Sequence, residues 1–274
     1  MSNLFKQIKF PKVLGILNVT PDSFSDGGRF SSVNKSIEHA IEMLEDGADI
    51  IDIGGESTRP GAESVSSKEE LKRVIPVIEG IMKLKPNAII SIDTTKYEVA
   101  KSALEAGAKY INDISGLTFE ERFIDLAVQF NAGLFLMHIK GEPRTMQQNP
   151  QYNDVFREVF GFLKTQALKA KKGGVKEVII DPGIGFGKNL EHNLTLIAHS
   201  GQLKETGFPV LLGLSRKSFL KSLLGIENPE ERDLPTNIIH TMLLQSNIDY
   251  IRVHNVKNIT QTKNILVAFK KLTN

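Results

Sequence analysis

Eight short apolar runs, each stopped by a polar or ionisable residue and most followed by a segment of helical period, constrain this chain more than any other feature. They occupy residues 13–18, 49–54, 88–93, 109–113, 133–138, 177–181, 210–215 and 249–254. Most are nearly continuous in Val, Ile and Leu, as in Ile50-Ile51-Asp52-Ile53 and Val178-Ile179-Ile180. Such runs mark strands covered on both faces, whereas a half-exposed strand alternates. Helical periodicity lies between them. In residues 36–46, Ile37, Ala40, Ile41 and Leu44 fall on one stripe, and a helix starting at Tyr97 is expected to stop before Gly107. Strand and helix therefore alternate, which demands parallel strands joined by right-handed crossovers. Eight units in 274 residues favour a closed barrel over an open sheet. The expected fold is α/β, a single (β/α)8 TIM barrel with long loops after strands 1 and 2.

No Pro-rich or Gly/Ser-rich linker interrupts the chain, so residues 1–274 are read as one domain. The apolar content of 41% and charged content of 24% are ordinary for a globular protein. No run approaches the length of a membrane span, and the segment Met1-Ser2-Asn3-Leu4-Phe5-Lys6 lacks a hydrophobic signal core. Cysteine is absent, which excludes disulfides, thiolate metal sites and cysteine nucleophiles and removes any argument for an oxidising compartment. A cytoplasmic protein is expected. With a net charge of +2, and with the densest basic run, residues 169–172, placed where cations suit a helix end, neither nucleic acid nor membrane is an expected partner.

Barrels of this kind carry their sites at the C-terminal ends of the strands. The residues there are Asn18, Asp93, Asn112, His138, Asp181, Lys217, Arg252 and His254. A single polar residue at a strand end merely starts a solvated loop; a full ring of them converges on one pocket and suits a polar heterocycle together with an anion. The loops after the first and second runs, Thr20-Pro21-Asp22-Ser23-Phe24-Ser25-Asp26-Gly27-Gly28 and Gly54-Gly55-Glu56-Ser57-Thr58-Arg59-Pro60-Gly61, are rich in turn residues. Their length over the mouth of a barrel makes them candidate lids. Gly183, Gly185 and Gly187 follow a late strand at a spacing that is a poor dinucleotide fingerprint. Ser215-Arg216-Lys217-Ser218 puts cations and hydroxyls at a helix start, where an anion is favoured.

These segments resemble the dihydropteroate synthases over nearly the whole chain. Gly15-Ile16-Leu17-Asn18-Val19 together with the first loop segment resembles that family's first signature, Asp52-Ile53 together with the second loop segment resembles its second, and Asp93, Asn112-Asp113, Met137-His138, Asp181-Pro182-Gly183, Ser215-Arg216-Lys217-Ser218-Phe219 and Arg252-Val253-His254 follow in the family's order. The resemblance implies condensation of 6-hydroxymethyl-7,8-dihydropterin diphosphate with 4-aminobenzoate. It implies a pterin site made by Asp93, Asn112, Met137, Asp181, Lys217 and Arg252, with Arg252 flat against the ring. It implies a 4-aminobenzoate site made by Phe24, Thr58, Arg59, Pro60, Gly185, Phe186 and Ser218. Asn18, Thr58, Arg252 and His254 would hold the diphosphate, with Mg2+ on Asn18. Asp26, Lys217 and Arg252 would act in catalysis, in which diphosphate departs from a cation-like methylene before the arylamine attacks.

Sulfonamides acting as competitive inhibitors, and a homodimer, follow from the same resemblance. The chain departs from the family at Asn255, where Asp usually follows the histidine, and at residues 232–236. A methyltetrahydrofolate-binding methyltransferase barrel shares the Asp and Asn set but needs neither the Ser-Arg-Lys-Ser-Phe segment nor the Ser-Thr-Arg-Pro-Gly segment.

Overall fold

The computed structural model describes residues 8–20, 28–57 and 64–271, with the side chains of residues 28–31 undescribed. Its eight strands are β1 (Lys12–Asn18), β2 (Ile50–Gly54), β3 (Ile90–Asp93), β4 (Tyr110–Asp113), β5 (Gly133–Met137), β6 (Val178–Asp181), β7 (Leu211–Leu212) and β8 (Tyr250–Val253). All pairings are parallel, in the order β6-β5-β4-β3-β2-β1-β8-β7, and a parallel bridge between Ile180 and Val210 closes the ring. The sheet is thus a barrel, as the alternation of runs and helices requires. Strands start one or two residues inside most of the runs, because Asp49, Lys109 and Glu177 belong to the turns that lead in.

Nine α-helices are described: α1 (Gly28–Glu45), α2 (Ser67–Leu84), α3 (Tyr97–Glu105), α4 (Phe123–Phe130), α5 (Val155–Lys172), α6 (Leu190–Ala198), α7 (Ser218–Leu224), α8 (Asp233–Met242) and α9 (Val256–Lys271). The first begins well before residue 36, because Val33 extends the stripe of Ile37, Ala40, Ile41 and Leu44 by one turn and packs on the same core. The third stops as expected, with Gly107 at φ +114° just past its end. Ile51, Ile53, Ile92, Ile111, Leu134, Leu136 and Ile180 face the helices and are completely buried. Each such side chain contributes about 1.5–3 kcal/mol relative to exposure.

Alternate residues face the barrel axis and stack in layers. The lowest layer is an apolar plug of Leu14, Ile50, Phe135, Ile179 and Leu211 with Tyr110 and Tyr250. The two tyrosine hydroxyls donate to Glu177 at 2.8 and 3.1 Å, so neither polar tip is left unpaired. This plug fills the bottom of the barrel, which leaves room for a ligand only at the C-terminal mouth.

Candidate active site

One step up from the plug, the inward positions are charged. Asp52 lies two residues beyond Ile50 on β2, points to the same face, and is fully buried. Its Oδ2 accepts from Arg252 Nε at 2.6 Å and from Asn112 Nδ2 at 2.9 Å. Arg252 also donates through Nη2 to Asp93 Oδ2 at 2.7 Å. Against the cost of burial, Asp52 and Asp93 hold the guanidinium above its ordinary pKa. Burial pushes the Asp93 carboxyl up to about 7, opposed by Arg252 and reinforced by Asp52.

Above this layer a cleft is lined by Asp93, Asn112, Met137, Asp181, Phe186, Lys217 and Arg252, with Gly183 and Gly213. Five polar groups from separate strands and loops thus meet around one slot, and six of the residues expected for a pterin ring line it together. Asp181 Oδ1 accepts from Gly183 N at 2.8 Å, and burial raises its carboxyl above the usual range. Burial pulls Lys217 down to about 8, with Arg252 adding to the shift and Asp181 and Asp93 opposing it. Its ammonium stands 4.0 Å from the centre of the Phe186 ring, a cation–π contact that steadies both.

The loop from β6 to α6 is moulded by polar anchors. Gly185 N donates to Asn193 Oδ1 at 2.7 Å, and Lys188 Nζ donates to Phe186 O at 2.9 Å and bonds His138 Nδ1 at 3.0 Å. Gly183 has φ +67°, and a Cβ there would meet His138 O at 1.9 Å, so only glycine fits. Burial and Lys188 push the His138 imidazole down to about 3. His138 therefore does not join the ring of strand-end residues facing the cleft; its ring is turned into the wall, edge-on to Phe162.

His254 pairs through Nδ1 with Ser215 Oγ at 2.9 Å, and burial together with Arg216, Arg252 and Lys217 pushes it down to about 3. Asn18 ends β1 half-buried beside the register position of Gly54. Ser218 opens α7 and is exposed. Arg216 corrects one expectation: only Lys217 of the two adjacent cations faces the cleft. Arg216, at φ +60°, forks instead onto Asp233 at 2.7 and 2.8 Å. Phe24, Asp26, Thr58, Arg59 and Pro60 lie outside the described residues.

Residues 14–254 match the family model described as pterin binding enzyme. The dihydropteroate synthase of Synechocystis sp. is 48% identical over 94% of this chain and 90% of its own length. The chain belongs to the dihydropteroate synthase family. Among solved structures of that family, a Yersinia pestis dihydropteroate synthase in complex with a sulfonamide drug superposes with a TM-score of 0.87 at 39% identity, covering 97% of this chain and 96% of that one. A Xanthomonas albilineans dihydropteroate synthase with 4-aminobenzoic acid gives 0.87 at 40% identity, covering 97% and 94%. The family fold is thus the observed barrel.

Residues that the sequence reading missed are Asp52, Gly213 and Lys188. Asp52 did leave a signal, an ionisable residue inside an otherwise apolar strand, which is tolerated only with a buried partner. Gly213 left none, since its contribution is the absence of a side chain.

Proposed function

We propose that this barrel works as a dihydropteroate synthase, condensing 6-hydroxymethyl-7,8-dihydropterin diphosphate with 4-aminobenzoate. The observation that carries the reading is the convergence of Asp93, Asn112, Asp181, Lys217 and Arg252 on one slot beside Phe186. A pterin presents donors and acceptors around a flat edge, and the slot offers carboxylates and an amide for its N–H groups and an ammonium for its oxygen or ring nitrogen. Asp181 and Lys217 hold the ring, and Arg252 covers it and reaches toward the diphosphate.

In the reaction the bond between the methylene carbon and the diphosphate oxygen breaks, the arylamine nitrogen bonds that carbon, and the amine loses a proton. The conjugated ring spreads the cationic charge, and the buried carboxylates near it favour that charge electrostatically. Asp26 is the proposed stabiliser of the cation on the first loop. Arg252 and His254 bind the leaving diphosphate, and Thr58 completes that contact. The amide oxygen of Asn18 suits a hard cation that keeps water and substrate phosphate ligands, so Mg2+ is its proposed ion, supplying charge neutralisation for the diphosphate. Phe24, Arg59, Pro60, Gly185, Phe186 and Ser218, with Thr58, form the proposed 4-aminobenzoate site, where sulfonamides compete.

The working unit is a homodimer. Leu234, Ile238 and Met242 repeat every fourth residue on α8 and are exposed, with Ile265 of the adjoining α9 beside them in the exposed set, an apolar face that a second copy covers. No described helix is long and apolar enough to cross a membrane, and the cytoplasm is the proposed compartment. Turnover with both substrates, followed by diphosphate release with Mg2+ and with chelator, tests the activity. Absence of diphosphate release together with binding of a methyl-bearing folate would favour the methyltransferase barrel instead.

A further inference from the structure

Asp52 does not line the cleft, yet two residues that do are fixed by it. The carboxylate is paired with Arg252 at 2.6 Å, and in that state it carries only lone pairs. The arm of the Asn112 amide that meets it at 2.9 Å must therefore be the NH2 arm. Asn112 cannot flip without setting a carbonyl oxygen against a carboxylate oxygen. Its carbonyl arm therefore faces away from Asp52, and Asn112 lines the cleft.

We propose that Asp52 is a positioning residue that sets which pterin oxidation state the pocket takes, by locking Asn112 as a hydrogen-bond acceptor toward the ring. The inference rests on the pterin reading above. With Asn112 so held, the slot has three acceptor side chains, Asp93, Asn112 and Asp181, against Lys217 as a donor. Asp93 and Asn112 sit at paired positions on β3 and β4, while Asp181 lies two strands on, on β6. The acceptors thus face more than one edge of a bound ring.

An oxidised pterin has its N–H groups at one end only, on the 2-amino group and N3. That end satisfies one carboxylate and leaves bare ring nitrogens for the other edge. A 7,8-dihydropterin adds an N–H at N8 and so brings a donor to the second edge. A bare nitrogen against the locked Asn112 carbonyl would place lone pair against lone pair and leave both desolvated and unpaired.

Calorimetry with the full chain decides it, using 6-hydroxymethyl-7,8-dihydropterin and its fully oxidised counterpart as the two ligands. The wild-type protein is expected to prefer the reduced ligand by about tenfold or more, one hydrogen bond's worth; equal affinities overturn the proposal without any variant being needed. In Asp52→Ala no acceptor faces the Asn112 amide, so Asn112 is free to flip and the preference should fall to about threefold or less. Adding Asn112→Asp restores the preference, because a carboxylate accepts whichever way it turns. A purely structural Asp52 would weaken both ligands by the same factor and leave their ratio unchanged, which also overturns the proposal. Failure of the pterin reading itself is distinct, since then neither ligand binds. If Asp52→Ala does not fold, Asp52→Ser, whose hydroxyl can accept from or donate to Asn112, gives the same comparison, and equal wild-type affinities overturn the proposal in either case.

Discussion

Arg252 Nη2 donates to Asp93 Oδ2 at 2.7 Å, tying the arginine of β8 to the carboxylate of β3 across the mouth of the barrel. Both residues are expected to serve the ligand, yet here each occupies the other. On the proposed reading, arrival of a pterin diphosphate would exchange this internal ion pair for two ligand contacts, the ring at Asp93 and the diphosphate at Arg252. The second donor of the fork, Nε, bonds Asp52 and would keep Arg252 anchored during that exchange.

Removing the guanidinium leaves Asp52 and Asp93 buried without their cation. Arg252→Ala should lower stability by about 3–5 kcal/mol, the usual cost of orphaning a buried charge. Arg252→Lys should fall between, since a single ammonium cannot fork onto two carboxylates. Urea unfolding of the three proteins measures this, and a loss under about 1 kcal/mol for Arg252→Ala would show that the carboxylates do not depend on it.

Binding in the slot should have a narrow pH window. Asp93 is held up to about 7 and must be ionised to accept from the ring; Lys217 is pulled down to about 8 and must be protonated to donate. The specificity constant for the pterin substrate, which reports the free enzyme, should rise through about 7 and fall through about 8. Asp93→Asn should remove the acid limb while leaving the alkaline one. A profile flat over this range would place neither group at the ring.

Much of this is legible in the sequence. Apolar runs with polar stops locate the strands because barrel strands are buried on both faces, and Asp93, Asn112 and Asp181 stand where those runs end. What escaped has physical reasons. Asp52 hides because alternate strand residues face the axis, so a charged residue can sit mid-strand if another strand supplies its partner, here Arg252 at a separation of 200 residues. The long seventh run shrank to Leu211–Leu212 because Gly213 opens the slot instead of extending the strand. His138 stands at a strand end like the others, but Lys188, 50 residues along the chain, bonds its ring in the wall, a contact no local pattern announces.

Asp181→Asn tests the carboxylate proposed to grip the ring. One oxygen already accepts from Gly183 N, and the amide would replace an acceptor facing the ligand by a donor facing a donor. Hydrogen bonds to a charged group contribute about 1.5–3 kcal/mol each, so pterin affinity should fall by roughly a hundredfold. A change under about threefold in calorimetry would remove Asp181 from the ring site.

Gly213 tests whether the slot itself holds the ring. A Cβ at this position would stand 3.6 Å from Asp181 Oδ2 and 3.9 Å from Arg252 Cβ, ordinary contacts that the fold tolerates. Gly213→Val should therefore fold and keep its melting temperature within a few degrees, while its added methyls fill space between Asp181 and Arg252. Pterin binding should drop by more than about tenfold. Undiminished binding to a folded variant would move the ring elsewhere in the mouth.

The two departures from the family pattern, Asn255 and residues 232–236, meet in space. Asn255 Nδ2 donates to Asp233 Oδ2 at 3.1 Å, and Asp233 takes the forked Arg216. Arg232 Nη1 donates to Arg216 O at 3.0 Å, holding the left-handed backbone of Arg216 next to Lys217. Asn255 stands where the resemblance leads one to expect Asp, and the carboxylate that takes Arg216 is that of Asp233. Against the cost of burial, Arg216 and Asn255 hold the Asp233 carboxyl below its ordinary value. Asn255→Asp would set a second carboxylate against that of Asp233 and turn a donor into an acceptor, costing about 1–3 kcal/mol at neutral pH. One of the two carboxyls would then have a folded-state pKa raised above its unfolded value, so the penalty should fade as pH drops and that group protonates. Asp233→Asn with Asn255→Asp returns one acceptor and one donor to the pair and should recover most of the loss. Urea unfolding of both single variants and the double one closes the cycle, and strictly additive losses would show that the two positions are independent.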